Sequence, residues 1–256
     1  MSFGKCGVIV NRERLGDDEL ISLVQERYPC VEAVVLVGSV ARGDAHDLSD
    51  IDLICIGEEI PGYELVAHRG FLVSIQGKST SQVRKDMLDP GVCAQAVPAW
   101  RTGRILLDKF GAAASLRTAA RDWSWSLVEG SVERWAVETV TGFAEEAIKV
   151  VAAIHAKKEV LAATQASLIV LHLGPVMATY HGLLFSSENA LWDSTGGDPT
   201  WFAGAKKVFG SDALTGARAA LQLYRYAAST VAPLASARQR EVIDLTCACI
   251  DGVEYG

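Results

Sequence analysis

The chain has 256 residues, of which 50% are hydrophobic and 21% charged, and its formal net charge is −7. This composition is typical of a globular protein with one large domain or two modest ones, and it excludes the disordered and fibrous classes. The acidic excess is even, because residues 1–110 carry 12 basic and 16 acidic side chains and the remainder carries 12 and 15. Neither part is therefore a basic surface for extended nucleic acid.

The chain also lacks the sequence features of membrane and secreted proteins. No uninterrupted apolar run reaches the roughly 18 residues that cross a bilayer, and the first residues do not resemble a signal peptide. The six cysteines are scattered along the chain, which favours reduced thiols over a disulfide framework. We therefore expect a cytoplasmic protein that does not bind membranes.

The first part of the chain has the alternating pattern of a mixed α/β domain. Apolar spacing and turn residues predict, in chain order, a helix at 17–27, strands at 32–37 and 49–56, a hairpin from 65–67 and 71–75, a helix at 79–88 and a strand at 104–107. From residue 111 alanine becomes frequent, and the helical period recurs in five segments: 112–123, 132–156, 159–182, 212–232 and 236–249. We expect an α+β protein with a mixed sheet flanked by helices in domain 1–115 and an all-α helical bundle in domain 116–256.

One segment of the first part contains several features that together indicate chemistry. Residues 34–53 read VVLVGSVARGDAHDLSDIDL, in which an apolar strand ends in Gly38-Ser39 and a second strand begins near Asp50 and Asp52. Glycine permits a tight turn and close approach to a ligand, and the start of a helix favours anions such as a triphosphate. Carboxylates two residues apart on a strand share one face, where they could bind Mg²⁺ together with substrate phosphates.

This order of Gly-Ser, Arg-Gly and Ser-Asp-Ile-Asp resembles the nucleotidyltransferase superfamily that includes DNA polymerase β. The resemblance implies the nucleotidyltransferase fold, with Mg²⁺ held by Asp50 and Asp52 and with ATP or another NTP as co-substrate. It also implies that Gly38 and Ser39 bind the phosphate tail. Arg42 and Ser49 are then expected to support that phosphate-binding turn.

The two-domain layout is similar to the kanamycin (aminoglycoside) nucleotidyltransferase group. In that group a helix of the second domain supplies a glutamate as general base and, one turn later, a lysine that contacts the nucleotide phosphate. The matching residues here are Glu145 and Lys149, whose spacing of four puts them on one helix face. The alternative is an ordinary surface ion pair between the same two side chains.

The sequence departs from the superfamily pattern at the third carboxylate. That acid comes from a neighbouring strand, and the corresponding segment here has Ser74 or Gln76 at its place. Either Glu145 supplies the base and the two aspartates hold metal, or the protein binds nucleotide and turns it over poorly. Glu64 could substitute for the acid if the strand register differs.

The function that these residues predict is transfer of a nucleoside monophosphate, most simply AMP, from Mg-NTP to a hydroxyl of a small, antibiotic-like molecule. The alternatives are a nucleotide-binding or regulatory protein of the same fold with weak or no catalysis, and a transferase that adenylylates proteins. The helix turn before Glu145 lacks the acids expected in a pocket for polycationic aminoglycosides. The resemblance also implies a possible homodimer.

Two arginines lie just before and at the start of the last predicted strand. Arg101 and Arg104 are expected on the surface, with a phosphate contact as the alternative.

Overall fold

The computed structural model describes residues 15–192 and 198–254. These residues form two compact units, the first comprising 15–86 and 96–122 and the second 87–95 and 123–254. The domain boundary at residue 115 stays a prediction. The Gly-, Asp- and Pro-containing sequence of residues 193–200 also predicts a loop between helices, and most of that segment lies outside the described residues.

The first unit is built on a five-stranded mixed sheet. Its elements are α1 (Asp17–Arg27), β1 (Ala33–Val37), α2 (Gly38–Arg42), β2 (Ile51–Ile56), β3 (Glu64–His68), β4 (Phe71–Lys78), α3 (Thr80–Asp86), the end of α4 (Cys93–Thr102), β5 (Arg104–Asp108) and α5 (Ala112–Asp122). The strand order is β3-β4-β2-β1-β5, and every neighbouring pair is antiparallel except β2 and β4. The predicted α+β class, with a mixed sheet followed by a helical region, is confirmed.

Strand β1 is an apolar interior strand of this sheet. All five of its residues, AVVLV, are buried, because β1 lies between two other strands and has both faces covered. Leu20 and Val24 of α1 pack against one face of the sheet. The predicted hairpin corresponds to β3 and β4, joined at Arg69 and Gly70, which both have positive φ as a tight hairpin turn requires.

Helix α4 was not expected from the sequence, because Pro98 lies inside it. Proline cannot donate a backbone hydrogen bond to the carbonyl four residues earlier, which here is that of Ala94. That carbonyl instead accepts a hydrogen bond of 3.0 Å from the backbone N–H of Phe185. Because the freed carbonyl has a partner, the helix tolerates the proline.

The second unit is helical. Beyond the beginning of α4, its described helices are α6 (Glu129–Gly142), α7 (Ala144–His155), α8 (Glu159–Tyr180), α9 (Glu188–Leu191), α10 (Pro199–Gly210), α11 (Ala213–Val231) and α12 (Ala237–Glu254). Alanine and glycine let these helices approach closely. A Cβ at residue 216, for example, would lie 2.5 Å from the carbonyl oxygen of Val208. Asp212 caps the N-terminus of α11 by accepting hydrogen bonds from the backbone of Leu214 and Thr215.

The single helix predicted at 132–156 is two helices in the structure. The helical conformation is interrupted at Phe143, between α6 and α7. Glu145 therefore lies in the first turn of α7 and not in the middle of a long helix. Carboxylates are stabilised in a first helical turn by the helix dipole, so this position gives Glu145 a structural role as well.

By length and composition, helix α8 is long and apolar enough to cross a bilayer. Polar residues interrupt it, so the sequence contains no uninterrupted apolar run of the necessary length. Nearly half of its most apolar window is buried within the unit. Ile169, Val170, Leu173 and Met177 belong to the helical core. The helix is thus explained as the core helix of this unit.

Candidate functional site

The turn between β1 and α2 places Gly38 and Ser39 at the end of a central strand. Gly38 has φ of +71°, a left-handed conformation that glycine adopts without a steric penalty. Helix α2 is only five residues long and ends at Gly43, whose φ is +83° and whose N–H donates to the carbonyl of Ser39. The turn and the short helix are thus held by a glycine at each end.

A second constraint on Gly38 comes from Asp52. Strand β2 pairs with β1 so that Val37 lies opposite Asp52, which brings the aspartate carboxylate over the following glycine. A Cβ at residue 38 would lie 2.2 Å from Asp52 Oδ2. The sequence explained Gly38 by a tight turn and by close approach of a ligand. The structure adds that the residue must be glycine for the Asp52 carboxylate to occupy its position.

Asp52 is a partly buried carboxylate whose pKa is shifted. Its Oδ1 accepts a 2.8 Å hydrogen bond from Oγ of Ser74, which lies opposite it on the parallel strand β4. Burial raises the pKa of Asp52 above its ordinary value, and the nearby charge of Asp50 raises it further. The Ser74 hydroxyl and the Arg42 guanidinium oppose this by stabilising the ionised form.

Asp50 lies just before β2 and is exposed. Its effect on the pKa of Asp52 indicates that the two negative charges are close enough to repel each other. Both residues of the predicted pair belong to the first unit, and their joint role stays a prediction. Such a pair is stabilised by a cation between or beside the carboxylates.

The two carboxylates fit a magnesium ion by the chemistry of their oxygen atoms. Mg²⁺ in phosphate-transfer sites takes one or two carboxylates and completes its coordination with water and substrate phosphates. Among residues 15–192 and 198–254, no three His, Cys, Asp or Glu side chains form a metal-binding group. That Asp50 and Asp52 hold the ion, together with the substrate and water, stays a prediction.

The register of β4 decides which residue replaces the third carboxylate. Ser74 pairs with Asp52, whereas Gln76 pairs with Ile54 further along the strand. Glu64 lies opposite Ile75 and not opposite Ser74, and its carboxylate accepts hydrogen bonds from Arg27, at 3.0 Å, and from the hydroxyl of Tyr28. The neutral Ser74 hydroxyl thus occupies the place next to Asp52.

The remaining predicted residues of the first unit stabilise the loop between α2 and β2. Arg42 Nε donates to Asp44 Oδ2 at 3.1 Å. The positive charge of Arg42 also lowers the pKa of Asp52. Ser49 Oγ accepts a 3.0 Å hydrogen bond from the backbone N–H of His46. These contacts fix the backbone that carries Asp50, which is a positioning role for Ser49.

Glu145 and Lys149 belong to the second unit, so their approach to the aspartates stays a prediction. Lys149 Nζ lies 2.8 Å from Glu145 Oε1, and the side chains are 43% and 74% exposed, respectively. The hydrogen bond and charge of Lys149 lower the pKa of Glu145, and those of Glu145 raise the pKa of Lys149. Lys149 also lies 3.5 Å from Glu146. The ion pair that the sequence offered as the alternative is therefore present in the structure.

Two variants should move the pKa of Asp52 in opposite directions in the metal-free protein. Ser74→Ala removes a donor to the carboxylate and should raise this pKa, whereas Asp50→Asn removes a repelling charge and should lower it. Carboxyl ¹³C NMR titration in EDTA measures both shifts. Ser22→Ala, a serine that donates only to the Asp18 carbonyl, is the control and should leave the pKa unchanged. A shift in the same direction for both site variants would contradict the described contacts.

The comparisons with known proteins concern the family of the first part of the chain and the fold. Residues 17–97 match the family model of the nucleotidyltransferase domain. A nucleotidyltransferase-like protein from Exiguobacterium sibiricum 255-15 has a similar fold, with a TM-score of 0.52 and 12% sequence identity over 84% of this chain and 75% of that chain. At this identity the likeness shows the fold alone. None of the curated proteins is significantly similar in sequence.

Proposed function

We propose that this protein, whose residues 17–97 match the family model of the nucleotidyltransferase domain, transfers AMP from Mg-ATP to a hydroxyl group of a small molecule. The observation that carries the proposal is the position of the Asp52 carboxylate against Gly38, with the charge of Asp50 acting on it. Two carboxylates next to a phosphate-binding turn can hold a metal–nucleotide complex.

The first unit provides the groups that would bind the triphosphate. The backbone N–H groups at Gly38 and Ser39, together with Ser39 Oγ, would donate hydrogen bonds to phosphate oxygens. Arg42 would add a positive charge at the end of the same short helix. Asp50 and Asp52 would hold Mg²⁺, which when bound neutralises charge that accumulates on the phosphates.

The second unit would provide the acid–base chemistry. The Glu145 carboxylate would accept the proton of the acceptor hydroxyl as that oxygen bonds to the α-phosphorus and the bond to pyrophosphate breaks. Lys149 lowers the pKa of Glu145 and so weakens it as a base. If a phosphate group of the nucleotide attracts Lys149, the ion pair opens and Glu145 becomes more basic. Substrate binding would in this way activate the base.

A second candidate is a nucleotide-binding protein with weak or no catalysis. Ser74 favours it, because its hydroxyl cannot accept a proton at neutral pH as a third carboxylate could. The distinction between the two candidates depends on whether Glu145 compensates for the missing acid.

Release of pyrophosphate from Mg-ATP tests the proposed transfer. The protein is incubated with each member of a panel of hydroxylated small molecules, with GTP, CTP and UTP as alternative donors. Acceptor-dependent pyrophosphate release that is lost in Asp52→Asn supports transfer. Mg²⁺-dependent binding of ATP by calorimetry without release supports the second candidate. Label that passes from ATP into protein bands of a lysate would indicate a protein acceptor and contradict a small-molecule acceptor.

The Lys149→Gln variant should change the pH dependence of transfer. Removing the lysine raises the pKa of Glu145 towards its ordinary value. Because a base must be deprotonated, the acid limb of the kcat/KM profile should move to higher pH, while the plateau falls through loss of a charge near phosphate. Lys206→Gln, an exposed lysine of α10, is the control. An unchanged acid limb would mean that Glu145 is not the base.

A further inference from the structure

A cavity of about 410 Å³ in the first unit is lined by four arginines. Arg101, Arg104, Arg117 and Arg121 contribute to its wall, together with Ala41 and Gly103 among others. We call it the arginine cavity. Its volume is within the range of small-molecule sites, about 300–1,000 Å³. A local concentration of four positive charges is unexpected on a chain whose net charge is −7.

Three elements bring these arginines together. Arg101 is near the end of α4, and Arg104 begins β5 after Gly103. Arg117 and Arg121 are four residues apart on α5 and therefore lie on one helix face. A Cβ at residue 103 would lie 2.7 Å from the carbonyl oxygen of Ala99. The tight turn that connects α4 to β5 therefore requires glycine at this position.

Two of the four guanidinium groups donate hydrogen bonds to backbone carbonyls. Arg101 Nε donates to the carbonyl of Ala120 at 2.7 Å, and Arg117 Nη2 donates to the carbonyl of Gly103 at 2.5 Å. Nε of Arg117 is buried, and no hydrogen-bond partner for it exists among the described residues. Arg104 forms an ion pair with Asp17. A guanidinium has five N–H donors, and Arg117 Nε in particular is left without a partner among the described residues and could donate to a ligand.

The cavity and the Gly38-Ser39 turn lie at the same end of the strands β1 and β5. Strand β5 is antiparallel to β1, and Arg104 pairs with Leu36, two residues before Gly38. Ala41 of α2 is part of the cavity wall. Strand β1 separates β5 from β2, which carries Asp52. From β5 to β2 there are two strand spacings, which amount to about 10 Å. The arginines are therefore neighbours of the aspartate site.

We propose that the arginine cavity binds a phosphate group. A planar guanidinium group can donate two parallel hydrogen bonds to the oxygens of one phosphate. The cavity is lined by arginines and, among the described residues, by no lysine, and a lysine would offer only a point charge. The phosphate belongs either to the end of the nucleotide tail or to a second, phosphorylated ligand. Binding of phosphate is independent of whether the protein transfers nucleotides.

Inorganic tripolyphosphate, titrated by calorimetry into the full chain in EDTA and low salt, tests phosphate binding. The double variant Arg104→Gln/Arg121→Gln should bind it at least about tenfold more weakly than the wild type, because two charge-assisted contacts are lost. Arg238→Gln, an exposed arginine of α12, makes the same chemical change in the other unit and should have little effect. Circular dichroism and thermal melting establish that each variant is folded.

The outcomes separate the two sources of phosphate. In a second titration, with excess Mg²⁺ and no EDTA, displacement of tripolyphosphate by Mg-ATP assigns the cavity to the nucleotide tail, whereas simultaneous binding of both assigns it to a second phosphorylated ligand. In Asp52→Asn, tripolyphosphate binding in EDTA should persist even though transfer is lost. Absence of binding by the wild type, or an equal loss in Arg238→Gln and in the double variant, would overturn the proposal.

Discussion

Asp52→Asn is expected to lower the rate of Mg²⁺-dependent transfer by about 10²–10³-fold, the loss typical of one preorganised electrostatic group. Asparagine has nearly the same size as aspartate and still accepts the hydrogen bond from Ser74. It cannot supply the negative charge that a divalent cation requires. The measurement is pyrophosphate release, with the Mg²⁺ concentration varied.

The same variant should not destabilise the metal-free fold. The pKa of Asp52 is raised in the folded protein, so its ionisation at neutral pH disfavours folding. Asparagine removes that cost, and Asp52→Asn should therefore be as stable as the wild type or more stable at neutral pH. This advantage should disappear as the pH falls below the ordinary pKa of aspartate, because the wild-type carboxyl is then protonated in both states. Urea denaturation in EDTA at both pH values measures it.

Asp18→Asn is the matched control, since Asp18 is an exposed acid in the first turn of α1. It should retain full transfer activity and lose only a little stability, about 0.3–1 kcal/mol, through the helix dipole. If Asp52→Asn instead kept its activity and lost stability, Asp52 would be a structural residue and the assignment of the metal site would be wrong.

The elements that the sequence predicted well are those whose burial pattern is local. Helix α1 has the predicted bounds, Asp17–Arg27, because its apolar spacing and its first-turn acids all lie within eleven residues. Strand β1 and the hairpin are predicted for the same reason. The Gly38 to Asp52 segment could be recognised because its parts follow one another within about twenty residues.

The features that the sequence could not provide depend on residues far apart in the chain. The choice of Ser74 over Gln76 requires the register of β4 against β2, which tertiary packing sets. Helix α4 required knowledge that Phe185 would satisfy the carbonyl freed by Pro98. Arg101 and Arg104 were expected on the surface, and only the fold places them in one cavity with Arg117.

Gly38→Ala is expected to abolish Mg²⁺-dependent nucleotide binding while the protein remains folded. Two effects coincide at this residue. The φ of +71° disfavours any side chain by about 1–2 kcal/mol, and the new Cβ would lie 2.2 Å from Asp52 Oδ2. Because that distance is far below van der Waals contact, the carboxylate must move from its position beside Ser74. Calorimetry with Mg-ATP and urea denaturation measure the two consequences.

Gly43→Ala separates strain from displacement of the carboxylate. Gly43 has a φ of +83°, but a Cβ there would meet no atom within 4 Å. This variant should lose a similar 1–2 kcal/mol of stability, about the cost of the left-handed conformation, and yet bind Mg-ATP nearly as tightly as the wild type. Equal loss of binding in both variants would show that Gly38 acts through the backbone of the turn alone. Selective loss in Gly38→Ala would mean that this glycine keeps Asp52 in the position where it holds the metal.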